Sequence, residues 1–176
     1  MSSSTSSGAA WIVELPDGWL PRTGPEVPAW ASSTTLQTAA APLAMLLDHD
    51  RSAGAASIAW APAPLAERGV LATHTVLLGV PEDPAGAVAL SADQDVVLPH
   101  SRGTMRVAMA TPSGHPTLVV THHLDLSGGH RLVLVGRTTA VTLADEFVGL
   151  FHLVAASAEF IGSGDGSARQ PAVVRT

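Results

Sequence analysis

The chain of 176 residues has no cysteine and no tyrosine, and reading along it finds no lysine and no asparagine either. Lysine, asparagine and tyrosine share A/T-rich codons, so their joint absence fits a GC-rich genome and need not reflect function. It still closes off chemistry. Without lysine there is no P-loop amine to meet a phosphate, no Schiff base and no lysine general base. Without cysteine there is no thiolate nucleophile, disulfide, zinc ribbon or cysteine-held cluster. Positive charge is scarce too: nine basic residues, all arginine and scattered singly, stand against fifteen acidic ones, for a net charge of −6. Nucleic-acid affinity rests on clustered cations, so no nucleic-acid partner is expected. No apolar run approaches the ~20 residues a membrane helix needs, so no membrane insertion is expected. The opening MSSSTSSGAA carries no basic region and no lipid-attachable cysteine. Neither export nor anchoring is expected, and the chain reads as soluble and cytoplasmic.

What is present is 46% hydrophobic. At this length one domain can bury roughly two-thirds of its unfolded surface. Residues 1–9 and 163–176 are polar and Ser- or Gly-rich, and read as disordered tails around a single domain at 10–162. WIVEL (Trp11 to Leu15) alternates and meets the turn signal PDG, which suggests a strand entering a turn. STTLQTAAA has Ser and Thr caps before good helix formers, but Pro42 is expected to stop any helix there. PLAMLLDHD (Pro42 to Asp50) suits a buried strand or half a helix, since a short apolar run does not reveal its period; the strand is the reading adopted. Further strands are expected at AASIAWAPAP, at GVLATHTVLLGV and as a pair about the polar SADQD. TMRVAMATP should be another, with Met105, Val107 and Met109 on one face.

The two clearest strands enclose SGG (Ser127 to Gly129). With that triplet as the loop, Leu126 faces His130, Asp125 faces Arg131, His123 faces Val133 and His122 faces Leu134. Alternation then sends the tandem histidines to opposite faces, so they cannot share one metal ion from a single strand. Leu118, Val120, His122, Leu124 and Leu126 form the core side. Val119, Thr121, His123 and Asp125 form the other, with Asp125 and Arg131 an exposed ion pair contributing ~0.2–1 kcal/mol. Downstream, Leu143, Phe147, Leu150, Phe151 and Val154 recur at helical spacing, and Thr142 with Asp145 resembles a capping box. The fold class expected is α+β: an antiparallel sheet of about six strands flanked by helices, with the C-terminal amphipathic helix packed on it.

Candidate chemistry is thin. A metal would need His74, His100 or His115 brought from distant strands, and no H-x-H or H-x-x-x-H spacing exists, so no metal and no cofactor are expected. Glu82 with Asp83, and Asp93 with Asp95, fall short of a calcium loop and read as solvated turns. There is no G-x-S-x-G elbow, and IGSGDG lies in the polar tail, so no catalytic residue is assigned. His100, Ser101, Arg102 and Arg106 gather near one strand start, the nearest approach to an anion-binding cluster. The tryptophans at 11, 19, 30 and 60 are first of all core plugs, although Trp19 and Trp30, in or beside loops, would anchor a partner if they faced solvent. The candidate binding residues are therefore Trp19, Trp30, His100, Arg102, Arg106 and His123.

The order of elements, with LPDGW early, a hairpin ending RLVLVGRTT and then TLADEFVGLFHLVAASAEF, resembles the PsbP/Mog fold family, which includes small bacterial lipoproteins of the LpqN type and DcrB-like proteins. The resemblance rests on Leu15 to Trp19 and Arg131 to Phe160. It implies an antiparallel sheet sandwiched between helices and a non-catalytic binding, adaptor or assembly role. It supplies no catalytic residue, and without a lipid-attachment cysteine, membrane anchoring does not carry over. A soluble adaptor that binds another protein is thus the first expectation. One alternative is a small-molecule-binding protein or enzyme with a pocket between sheet and helices, using His122, His123 or Arg106. Another is an oligomeric structural component, a homo-oligomer pairing through sheet edges. A concave pocket with convergent titratable groups favours the small-molecule reading; a filled core with an exposed apolar patch favours the adaptor.

Overall fold

A computed structural model describes residues 10–22, 28, 34–78, 87–161 and 173–175. In chain order its elements are β1 (Ala10–Glu14), β2 (Leu20–Arg22), α1 (Thr34–Ser52), β3 (Ala55–Trp60), α2 (Ala63–Glu67), β4 (Ala72–Leu77), β5 (Val88–Ala89), β6 (Gln94–Leu98), β7 (Ser101–Ala110), β8 (Thr117–Leu126), β9 (Arg131–Thr138), α3 (Ala144–Ala156), β10 (Glu159–Ile161) and β11 (Val173–Arg175). The class is α+β, as expected. Eight strands form an antiparallel sheet ordered β2-β3-β4-β9-β8-β7-β5, with β6 also on the outer edge of β7. A smaller sheet, β10-β1-β11, pairs β1 with β11 in parallel.

The β8–β9 hairpin has the register that the SGG loop implies: Asp125 opposite Arg131, His123 opposite Val133, His122 opposite Leu134. Alternation then decides which helix each side chain meets. Leu118, Val120, Leu124, Leu132 and Leu134 pack with Phe147, Phe151 and Val154 of α3, and with Trp11, Val13 and Trp19. On the opposite face Val119, Val133 and Val135 pack with Leu46 of α1, and Ile58, Trp60 and Leu71 with Leu43 and Leu47. The sheet is therefore packed on both sides, and Val119 and Thr121, expected on the outer face, are buried, Val119 against Leu46 of α1.

One glycine sets how closely α3 docks. A Cβ on Gly136 of β9 would lie 2.3 Å from Cγ and Cδ2 of Phe151. Glycine leaves the notch into which that ring fits, with Trp19 edge-on at 6.4 Å and His74 at 6.1 Å between ring centres.

Beneath α1, Asp50 accepts from both terminal nitrogens of Arg137, with Arg137 Nη2 to Asp50 Oδ1 at 2.6 Å. Both side chains are buried. Thr73, directly opposite Arg137, and Thr75 share that face. Their hydroxyls and Arg137 Nε have no hydrogen-bond partner among the described residues.

Several expectations fail. Residues 42–50 are not a strand, and Pro42 does not end the helix, because α1 runs from Thr34 through it to Ser52. The buried residues Ala40, Pro42, Leu43, Leu46, Leu47 and Asp50 fall on one helical stripe, which appears only when the segment is read across the proline. Burying that stripe outweighs the hydrogen bond that Pro42 cannot donate. The two strands about SADQD both exist, but each pairs with β7 rather than with the other. The capping box does not form: a 3₁₀ turn at Val141–Leu143 precedes α3, whose N-cap, Leu143, makes no side-chain cap bond. Within the segment expected to be a C-terminal tail, Val173–Arg175 form β11. Residues 1–9, Glu82 and Asp83 lie outside the described residues. Among the described residues no helix is long and apolar enough to cross a membrane.

Candidate functional site

Among the described residues, α1 packs on Val119, Val133 and Val135 and on Ile58, Trp60 and Leu71 of its face of the sheet. Toward the β8–β9 loop the same face continues into Thr104 of β7, His123 and Asp125 of β8, and Arg131 and Val133 of β9. There it hollows into a cavity of about 300 Å³, with Leu78 on its wall. The register explains the grouping: Thr104 lies opposite His123, and Asp125 lies between Arg102 on β7 and Arg131 on β9. Gly103, Leu124 and Leu132 also line the cavity. Both leucines have side chains buried on the α3 side, so their backbone forms the floor. A Cβ on Gly103 would meet the His123 carbonyl oxygen at 1.8 Å, and the missing side chain lets β7 run this close to β8.

The charges around the cavity are partly committed. Arg131 Nε donates to Asp125 Oδ1 at 3.1 Å, the exposed pair expected from the hairpin. Arg106 grips Asp93 with Nε at 2.7 Å and Nη2 at 3.0 Å. That hydrogen bonding, above the Coulombic pull of Arg106 and of His123, holds the Asp93 carboxyl below its usual range.

A second group of titratable side chains is internal. His122 Nε2 lies 3.4 Å from His152 Nδ1 of α3, close enough for one ring to donate to the other. Burial, reinforced by His152 and then His123, lowers the His122 pKa to about 4. His74, on the same face, is pushed down to about 3 by burial, then by His122 and Arg137. Both rings are neutral at pH 7 and shielded from solvent, which suits them to the core rather than to proton transfer with a substrate. Among the described residues, no three histidine, aspartate or glutamate side chains come together in a way that could hold a metal ion.

The six candidate binding residues do not form one site. His123 lines the cavity. Arg102 stands opposite Asp125 beside it. Arg106 belongs to the Asp93 pair, and His100 is exposed in the β6–β7 turn, so the anticipated anion cluster is divided. Trp19 is a core plug, not a surface anchor, because Phe151 and the sheet enclose it. Trp30 lies outside the described residues. Sequence reasoning missed Thr104, which required the β7–β8 register, and His152, which lies on a flank of α3 beside its apolar stripe.

The outer edge beyond β7 is the other notable surface. Among the described residues β6 pairs on one side only, with β7. Val97, the fourth of its five residues, is 88% exposed, and Val88 and Leu90, farther along the edge of β7, are 65% and 55% exposed. No protein-family model matches this chain, and no curated protein or solved structure is detectably similar to it.

Proposed function

We propose that the chain is a non-enzymatic protein-binding module that accepts an extended segment of another protein onto the outer edge of β6. The observation that carries this reading is Val97, an apolar side chain 88% exposed as the fourth residue of a five-residue strand whose outer edge no described strand covers. Such an edge offers unpaired backbone N–H and C=O groups to an added strand, with alternate side chains giving specificity. The filled core supports the same reading, since Trp11, Trp19 and Trp60 are all buried and the strongly shifted histidines are internal. It is also the role implied by the resemblance to the PsbP/Mog family. Asp95 lies two residues before Val97, so both side chains project from one face of the edge. A complementary partner strand alternates an apolar and a basic residue at the same spacing. A second copy of this chain, acidic at −6 and presenting Asp95 again, is a poorer match.

The test is an NMR titration with a synthetic extended peptide that places valine and arginine two residues apart, with threonine between them, so that both project from one face. Saturable amide shifts should map to Gln94–Leu98 and disappear in Val97→Asp, a surface change expected to alter stability by less than about 0.5 kcal/mol. Shifts confined to other elements, or unchanged binding by the variant, would overturn the reading. A concentration-dependent dimer in solution that Val97→Asp abolishes would assign the edge to a second copy instead.

A further inference from the structure

We infer that the cavity bounded by Thr104, His123, Asp125 and Arg131 is a distinct small-ligand site that takes the carboxylate of an organic acid with an apolar body. This goes beyond the protein-binding reading, because it uses the hollow over β7, β8 and β9 and not the β6 edge.

Three features carry it. First, the cavity of about 300 Å³ has the mixed lining such a ligand needs, with Leu78 and Val133 on one part of the wall and Thr104, His123 and Arg131 on another. That size is at the lower end of the range for small-molecule pockets. Second, Arg131 is oriented by a neighbour without being consumed by it. Its Nε holds Asp125 Oδ1 in the single hydrogen bond of that pair, and among the described residues its two terminal amino groups meet no other acceptor. A guanidinium with Nη1 and Nη2 available meets a carboxylate with two parallel hydrogen bonds, a geometry that an ammonium cannot reproduce. Third, the charges on this face balance, Arg102, Arg106 and Arg131 against Asp93, Asp95 and Asp125, so a ligand carboxylate meets no net negative charge there although the whole chain carries −6. In the bound arrangement the ligand carboxylate lies against Arg131, with Thr104 and His123 as flanking polar groups, and its hydrocarbon part covers Leu78 and Val133.

The probe is hexanoate, compared with hexanamide, which has the same length and no charge, titrated into the full chain and followed by amide NMR. Hexanoate should give saturable shifts at Thr104, His123 and Val133 below about 50 mM, with hexanamide at least about fivefold weaker. Arg131→Gln should weaken hexanoate by at least about fivefold and leave hexanamide within about twofold, with Arg131→Lys close to the glutamine variant because the fork is lost. Arg131 is exposed, so these variants should fold, and unchanged melting curves verify that. Absence of saturation, equal affinity for the amide, or indifference to Arg131→Gln would each overturn the proposal. Arg131→Gln should leave the peptide-induced shifts at Gln94–Leu98 unchanged, so failure here and failure of the β6 edge reading can be told apart.

Discussion

Gly136→Ala is a one-methyl perturbation whose outcome the packing dictates. The new Cβ would stand 2.3 Å from Phe151 Cγ and Cδ2 and 2.5 Å from Cδ1. Carbon atoms in contact sit at ~3.5–4.0 Å, so ring and strand must separate by more than about 1 Å. Phe151 has little freedom to yield, since it is 1% exposed and neighboured by Trp19, His74 and Phe147. Relief therefore has to come from lifting α3 off β9. Overpacking of this kind costs ~1–3 kcal/mol. Replacing glycine within a strand returns ~0.5–1 kcal/mol of chain entropy. A net destabilisation of about 1–2 kcal/mol is expected, or a fall in Tm of about 2–8 °C for a chain of this size. Urea denaturation followed by circular dichroism and tryptophan fluorescence measures it. Phe151→Ala alone should cost ~3–5 kcal/mol. Combined with Gly136→Ala it should cost less than the sum by at least about 1 kcal/mol, because the added methyl then enters the space the ring has left. Unchanged or raised stability in Gly136→Ala, or strict additivity in the cycle, would refute the notch.

Three further outcomes follow from buried polar groups. Asp50→Ala strands the Arg137 guanidinium and should cost ~3–5 kcal/mol, while adding Arg137→Met should recover a substantial part; urea midpoints of the three proteins decide it. His122→Ala should destabilise by ~1–3 kcal/mol through the lost core contact and the bond to His152, whereas His123→Ala should stay below about 1 kcal/mol; the reverse order would contradict the observed register. His122 and His74 titrate near 4 and 3 in the fold against 6.5 in the unfolded chain. The unfolded state thus takes up protons first as pH falls. The stabilisation from keeping these rings neutral is complete above pH 6.5 and is lost as pH drops toward 4 and 3, with a slope of up to ~1.4 kcal/mol per pH unit for each ring. Denaturation between pH 7 and 5, above most carboxylate titration, should show this decline, and His122→Gln should flatten it.

What could be read without coordinates was local. The β8–β9 register followed from strand alternation and the SGG loop, which together fix every pairing from Asp125–Arg131 inward. The buried side of α3 followed from the spacing of Phe147, Leu150, Phe151 and Val154, Leu150 being only partly buried, whereas Leu143, read as part of the stripe, precedes α3 and is exposed. The faces of β7 followed from the alternation of Met105, Val107 and Met109. In each case one periodicity within a dozen or so residues carries the information.

The tertiary structure decided what depends on distant partners. Pro42 carries a local instruction to stop, and the stripe from Ala40 to Asp50 prevails only because a sheet is there to receive it. Asp50 finds Arg137 across 87 positions of sequence, with no nearby residue to announce the pairing. The cavity is similar: the hairpin supplies His123, Asp125 and Arg131, but only the docking of β7 adds Thr104 and Arg102 and turns an exposed ion pair into one wall of a site. Local sequence set the direction in which each side chain points, because strand and helix periods are properties of the backbone. Which surface it meets was left to long-range packing, where burial free energy overrides local preference.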